Sequence, residues 1–173
     1  MTTTLVPRTL AAAILVVLAL LAAAPVTRAD DALVTFKSMA PETALDLAKA
    51  ALETCRARGY QVAVVVVDRF GQPQIVLRDR YAGAHTVPTA TGKAWTAASF
   101  RMSTRDLAAA TEPGQSQAGV RNLPGVVPIA GGLTVEAGGA LVGAVGVSGA
   151  PGGEEDEGCA KAGIDAVRDR LEF

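Results

Sequence analysis

The sequence predicts an α+β domain built on an antiparallel sheet, and three observations carry that expectation. Two pairs of β-rich runs are each joined by a short glycine-containing turn, which makes consecutive strands antiparallel neighbours. Stretches with apolar residues at helical spacing lie before, between and after those pairs. The glycines of GALVGAVGVSGAPGG follow a GxxGxxG spacing across a strand, which is not the GxGxxG fingerprint of a doubly wound dinucleotide-binding fold.

The first helix is expected from Pro41 to Arg58, with Leu45, Ala48, Leu52 and Cys55 as its buried stripe and Gly59 as its stop. The run YQVAVVVVDRFGQPQIVLRDR then reads as a hairpin turning at Gly71 and Pro73. Its first strand, Val62 to Val67, is apolar throughout and is expected at the centre of the sheet with both faces covered. Thr86 offers a cap for a second helix that tolerates Pro88 in its first turn and runs to about Met102. Ser103 or Thr104 caps a shorter helix through Ala110, and Thr111 to Pro128 reads as an ordered loop. A second hairpin turns at an Ala-Gly-Gly, and Glu154 to Leu171 closes the chain as a helix with Ala160, Ile164, Val167 and Leu171 on its apolar stripe.

Ahead of this domain, residues 1–29 read as a secretory signal peptide: Arg8, an apolar run from Leu10 to Ala24, and small residues up to a cleavage point after Ala29. The apolar run is shorter than the ~20 residues a spanning helix needs, which weighs against the alternative of an uncleaved anchor. The expected product is exported to the periplasm or extracellular space, with residues 30–40 as an N-terminal segment and 41–173 as the folded domain. Cleavage removes Arg8 and Arg28 and no acid, leaving 14 of the 16 cations against 17 acids, a formal charge of −3. That balance carries no basic footprint for nucleic acid. Cys55 and Cys159 lie on two different expected helices; in an oxidising compartment they form a disulfide, and otherwise they are buried thiols, a choice that geometry decides.

The stretches VAVVVVDRFGQP, RDRYAGAHTVPTATGKAWTAASF and LPGVVPIAGGLTVEAGGALVGAVGVSGAPGGEEDEGCAKAG together resemble the GlcG/HbpS family of haem-binding proteins. The most specific pieces are Gly-Lys-Ala-x-Thr-Ala at Gly92 to Ala97, Leu-Pro-Gly at Leu123 to Gly125, and Gly-x-x-Gly-Val-Ser-Gly at Gly143 to Gly149. The resemblance runs from about Pro41 to Leu171. It implies a five-stranded antiparallel sheet flanked by helices, a homo-oligomer, and binding of haem or an iron-related ligand.

Haem needs an apolar slot, an axial ligand and cations near its propionates. His85, the only histidine in the chain, stands just before the expected cap and is the first candidate iron ligand; the other reading is a polar residue at the start of a helix. Tyr81 is a second candidate ligand and Met102 a third. Arg78, Arg80, Lys93 and Arg101 could meet propionates, or form solvated faces. Lys93 has a further reading as a structural ion pair with Asp68. Glu154 and Glu157 form an ExxE pair that could hold a hard cation such as ferric iron, although acids at a helix start are equally expected from the helix dipole. No nucleophile motif or triad can be assembled around a single histidine, so the sequence gives no positive sign of an enzyme. Two functions remain: an exported haem or small-ligand binder active in capture, buffering or presentation, and a non-catalytic accessory subunit of a catabolic pathway that presents the loop from Ala118 to Gly132 to a partner or binds a small metabolite.

Overall fold

The computed structural model describes residues 32–172, and the signal peptide expected over residues 1–29 lies outside them. From Lys37 onward the chain forms one compact unit. Its elements in order are α1 (Pro41–Ala57), β1 (Ala63–Asp68), β2 (Pro73–Arg78), α2 (Thr86–Phe100), α3 (Thr104–Ala110), β3 (Gly132–Ala137), β4 (Ala140–Ser148) and α4 (Gly153–Asp165). Short 3-10 turns fall at Ala118–Asn122 and Arg168–Arg170.

The four strands make one sheet in the order β2-β1-β4-β3, antiparallel throughout. This corrects the expected five strands. The stretch after Asn122 spends its backbone on local turns, Val126 N–H to Leu123 and Ile129 N–H to Val127, and Pro124 and Pro128 have no donor for a ladder. Ahead of α1, Met39 gives one N–H to Val142 beyond the end of β1, a single bond and not a strand.

The run from Val62 to Val67 is apolar at every position because it is covered twice. Val62, Val64 and Val66 pack with Val145 and Val147 of β4 against α1 and α4, whose contribution includes Ala44, Leu47, Ala51, Cys159 and Ala160. Ala63, Val65 and Val67 face the other way, onto Ala90, Ala94, Ala97 and Ala98 of α2. The buried stripe of α1 is therefore Ala44, Leu47, Ala48, Ala51, Leu52 and Cys55, with Leu45 only half-buried. Cys55 and Cys159 are joined as a disulfide, with Cα atoms 5.6 Å apart, tying α1 to α4 on this first face.

The second face is unusually close-packed. A Cβ placed on Gly146 of β4 would lie 2.1 Å from the carbonyl oxygen of Ala90, so only glycine on the strand opposite alanine on the helix lets α2 lie this near the sheet. At the far end of α2, Arg101 adopts a left-handed conformation (φ 54°) and ends the helix at Phe100, two residues before the expected Met102. Ser103 caps α3 by accepting the Asp106 N–H. The last helix is shorter than expected, ending at Asp165 before the chain tightens into the 3-10 turn, yet Val167 and Leu171 remain buried.

Candidate functional site

The site lies where α2, the end of β4 and the start of α4 converge. Along α2, His85, Thr89 and Lys93 recur every four residues and so share one flank of the helix. They face Ser148, Gly149 and Ala150 at the end of β4, Gly152, Gly153 and Asp156 at the start of α4, and Ile129 from the preceding loop. Together these residues line an open cleft of about 540 Å³.

Lys93 is the anchor of this cleft. Its side chain is 2 % exposed, and its ammonium donates to Asp156 Oδ2 at 2.7 Å and to the Val147 carbonyl at 2.9 Å. Asp156, itself 5 % exposed, uses its other oxygen to accept the Ala150 N–H at 3.0 Å. One carboxylate thus pins helix α2 and the loop leading into α4. The expected partner, Asp68, is engaged elsewhere: its Oδ1 accepts the N–H groups of Phe70 and Gln72 and shapes the first hairpin turn. The space for the ammonium comes from Gly131 (φ +118°), where a Cβ would stand 2.9 Å from Lys93 Nζ and 2.8 Å from Asp156 Cβ. Burial raises the Asp156 carboxyl above the ordinary carboxylate value, against the hydrogen bond from Lys93 that lowers it.

His85 occupies the cap position of α2, one residue earlier than the Thr86 cap expected, and its side chain makes no capping hydrogen bond. Its carbonyl accepts the N–H and hydroxyl of Thr89, while Thr86 turns its hydroxyl to the Gly83 carbonyl at 2.7 Å. The imidazole is exposed and lies against Gly83, where a Cβ would meet its ring at 2.8 Å. The ring therefore stands at the mouth of the cleft without a competing protein partner assigned to it among the described residues.

The other sequence candidates separate into two groups. Arg80 and Tyr81 lie in the turn closed by the Ala82 N–H on the Asp79 carbonyl, ahead of the separate turn that holds His85; both are exposed, Tyr81 at 80 %, and neither lines the cleft. Arg78 is turned to the Ala82 carbonyl. Arg101 and Met102 follow the opposite end of the 15-residue α2, roughly 20 Å along its axis from His85, and do not join the cleft. Glu154 and Glu157 both bind Arg105 of α3, each at 2.9 Å, and no cluster of three metal-binding side chains occurs among the described residues.

Two features escaped the sequence reading. Asp156 sat in an acidic run that the helix dipole explains unaided, yet it falls on the stripe Asp156, Cys159, Ala160 and Gly163 that α4 buries. An acid in phase with a buried stripe is the signal that would have singled it out. On the other flank of α2, Pro88, Thr91, Gly92 and Trp95 form with Pro124 and Gly125 an apolar groove of about 560 Å³.

Residues 39–165 match the family of HbpS-like haem degrading proteins. The chain belongs to the HbpS-like family. A double Glu-to-Asp mutant of Streptomyces reticuli HbpS is similar at 38 % identity, covering 84 % of this chain and 97 % of its own, with a TM-score of 0.75. The Klebsiella pneumoniae protein ORFY shares 28 % identity over 79 % of this chain and 94 % of its own, with a TM-score of 0.76. The PduOC–haem complex shares 28 % identity over 75 % of this chain and 94 % of its own, with a TM-score of 0.71. No curated protein matches. For an HbpS-like chain, the cleft offers one candidate axial contact, the exposed imidazole at its mouth, whereas two of the Lys93 N–H groups are taken by Asp156 and the Val147 carbonyl.

Proposed function

We propose that this HbpS-like protein binds haem at the cleft beside α2, with His85 as the iron ligand, and that it acts after export in capturing, buffering or presenting that ligand as a homo-oligomer. The observation that carries the reading is a haem complex of a similar protein with the same fold, taken with an unengaged imidazole at the mouth of a cleft in this chain. Bound haem would supply iron redox and oxygen chemistry; the protein's share is to hold the ring, offer His85 and meet the propionates with cations such as Arg80. Tyr81, in the preceding turn, is the alternative ligand.

A haem titration of the purified protein, followed in the Soret region for wild type, His85→Ala and Tyr81→Phe, tests this. The expected result is a saturable band that moves or disappears in His85→Ala and persists in Tyr81→Phe. A flat wild-type titration would refute the reading, and a band untouched in His85→Ala would move the ligand elsewhere. Because the family is described as haem degrading, decay of the band with time under a reductant and oxygen adds a second readout.

The polarity of the cleft favours one other reading. Apart from Ile129 its walls are polar side chains and small residues, a lining suited to a small polar metabolite bound by an accessory subunit of a catabolic pathway. Saturable metabolite binding with no Soret band would select it.

A further inference from the structure

Helix α4 begins without a side-chain cap. Its cap residue is Gly152, and the N–H groups of Gly153, Glu154 and Glu155 precede the first intrahelical bond, from Asp156 to Gly152. Gly152 and Gly153 form part of the cleft wall, so the positive end of a 13-residue helix borders the cleft.

Ser148 makes an independent observation at the same place. The residue lines the cleft and is only 5 % exposed, yet its hydroxyl has no protein partner among the described residues. Lys93 adds a third donor: an ammonium carries three N–H groups, and Asp156 and the Val147 carbonyl take two. The two acids nearest Lys93 and Arg105 at this end of the cleft are already engaged. Asp156 gives one oxygen to Lys93 and the other to the Ala150 N–H, and Arg105 holds Glu154 away. What remains is a convergence of donors beside the apolar side chain of Ile129, with the Glu155 carboxylate over Gly152 as a competing acceptor.

We infer that this end of the cleft is a carboxylate subsite, formed by the Ser148 hydroxyl, Lys93 and the first-turn N–H groups of α4. A carboxylate has two oxygens able to accept from several converging donors, and its charge complements a helix N-terminus. A short carbon chain would lie along Ile129. The carboxylate could belong to a free small acid or to a propionate arm of haem; the chemistry is shared. The subsite goes beyond haem binding because it requires no iron and no contribution from His85.

Propionate is the probe, with propionamide as its uncharged isostere, each titrated into the isotopically labelled protein while backbone amide resonances are followed. Propionate should shift Ser148, Gly153 and Glu154 saturably, propionamide should not, and Ser148→Ala should weaken propionate by roughly tenfold, the loss of one hydrogen bond to a charged group. Glu155→Gln, which removes the carboxylate lying over Gly152, should tighten it. Equal shifts from the two probes, or no saturable set at α4, would overturn the subsite. Haem binding that weakens on esterifying its propionates and is competed by propionate identifies a haem arm as the natural carboxylate; indifference to both, with propionate still saturable, identifies a free acid. Saturation by propionate in a protein that takes up no haem would refute the haem reading and leave this subsite standing.

Discussion

The two flanks of α2 carry concave surfaces of opposite character. On one, His85, Thr89 and Lys93 border a polar cleft organised by a buried ion pair. On the other, Pro88, Thr91, Gly92 and Trp95 border an apolar groove organised by ring packing. There Gly71 leaves room for the indole, since a Cβ would stand 2.7 Å from Trp95 Cδ1, and Gly125 approaches the ring's other edge. The groove is held by van der Waals contact, which tolerates small adjustments. The cleft is held by charges removed from water, which are tolerated only when every partner is in place. A fold that buries lysine and aspartate at one end of its sheet, where aliphatic residues would serve stability as well, has fixed the geometry of that end in particular.

That contrast is broken most directly at Lys93. Lys93→Ala leaves Asp156 buried without its cation and should cost about 3–5 kcal/mol in chemical denaturation. A loss near zero would mean that the pair organises nothing. The disulfide provides the next test, because it staples the sheet face away from α2. The Cys55→Ala, Cys159→Ala double variant should lose about 2–4 kcal/mol while ligand affinity at the cleft stays unchanged in the folded protein. A fall in affinity would show that the two faces are coupled.

A smaller effect sharpens the comparison through pH. Two buried aspartates should titrate in opposite senses. The Asp79 carboxyl is lowered, chiefly by its paired hydrogen bonds from Arg56 at 2.7 and 3.0 Å. Its stabilising contribution is present above the ordinary aspartate value and is lost as pH falls through the lowered one. The Asp156 carboxyl is raised by burial, so the folded state holds its proton more tightly. Its contribution is present below the ordinary value and is lost as pH rises through the raised one. Unfolding free energies measured across the acid range should therefore fall off less steeply with acid in Asp79→Asn than in wild type, and should rise more steeply with pH in Asp156→Asn. Parallel profiles in all three proteins would contradict the assignment.

Much of the sheet was legible because its signals are local. The unbroken apolar run of β1 announced burial on both faces, and the turn glycines announced two hairpins. Gly138 and Gly139 do sit at positive φ between β3 and β4. The number of strands was less accessible, since it depends on whether the proline-containing stretch before β3 finds a partner. The site was legible in part. Lys93 could be recognised as a lysine needing a partner among alanines, but Asp156 lies 63 residues further on, and no local pattern selects it over Asp68. Ser148 was hidden inside a glycine-rich strand end, where its significance depends on which face of the sheet α2 covers.

The most direct test of the central claim, that ligand binding belongs to the polar flank of α2, is a crystal structure of the protein with haem bound. The account predicts the ring at the cleft, its iron coordinated by the His85 imidazole and the Trp95 groove free of it. A ring stacked on Trp95, with His85 left in solvent, would contradict that claim.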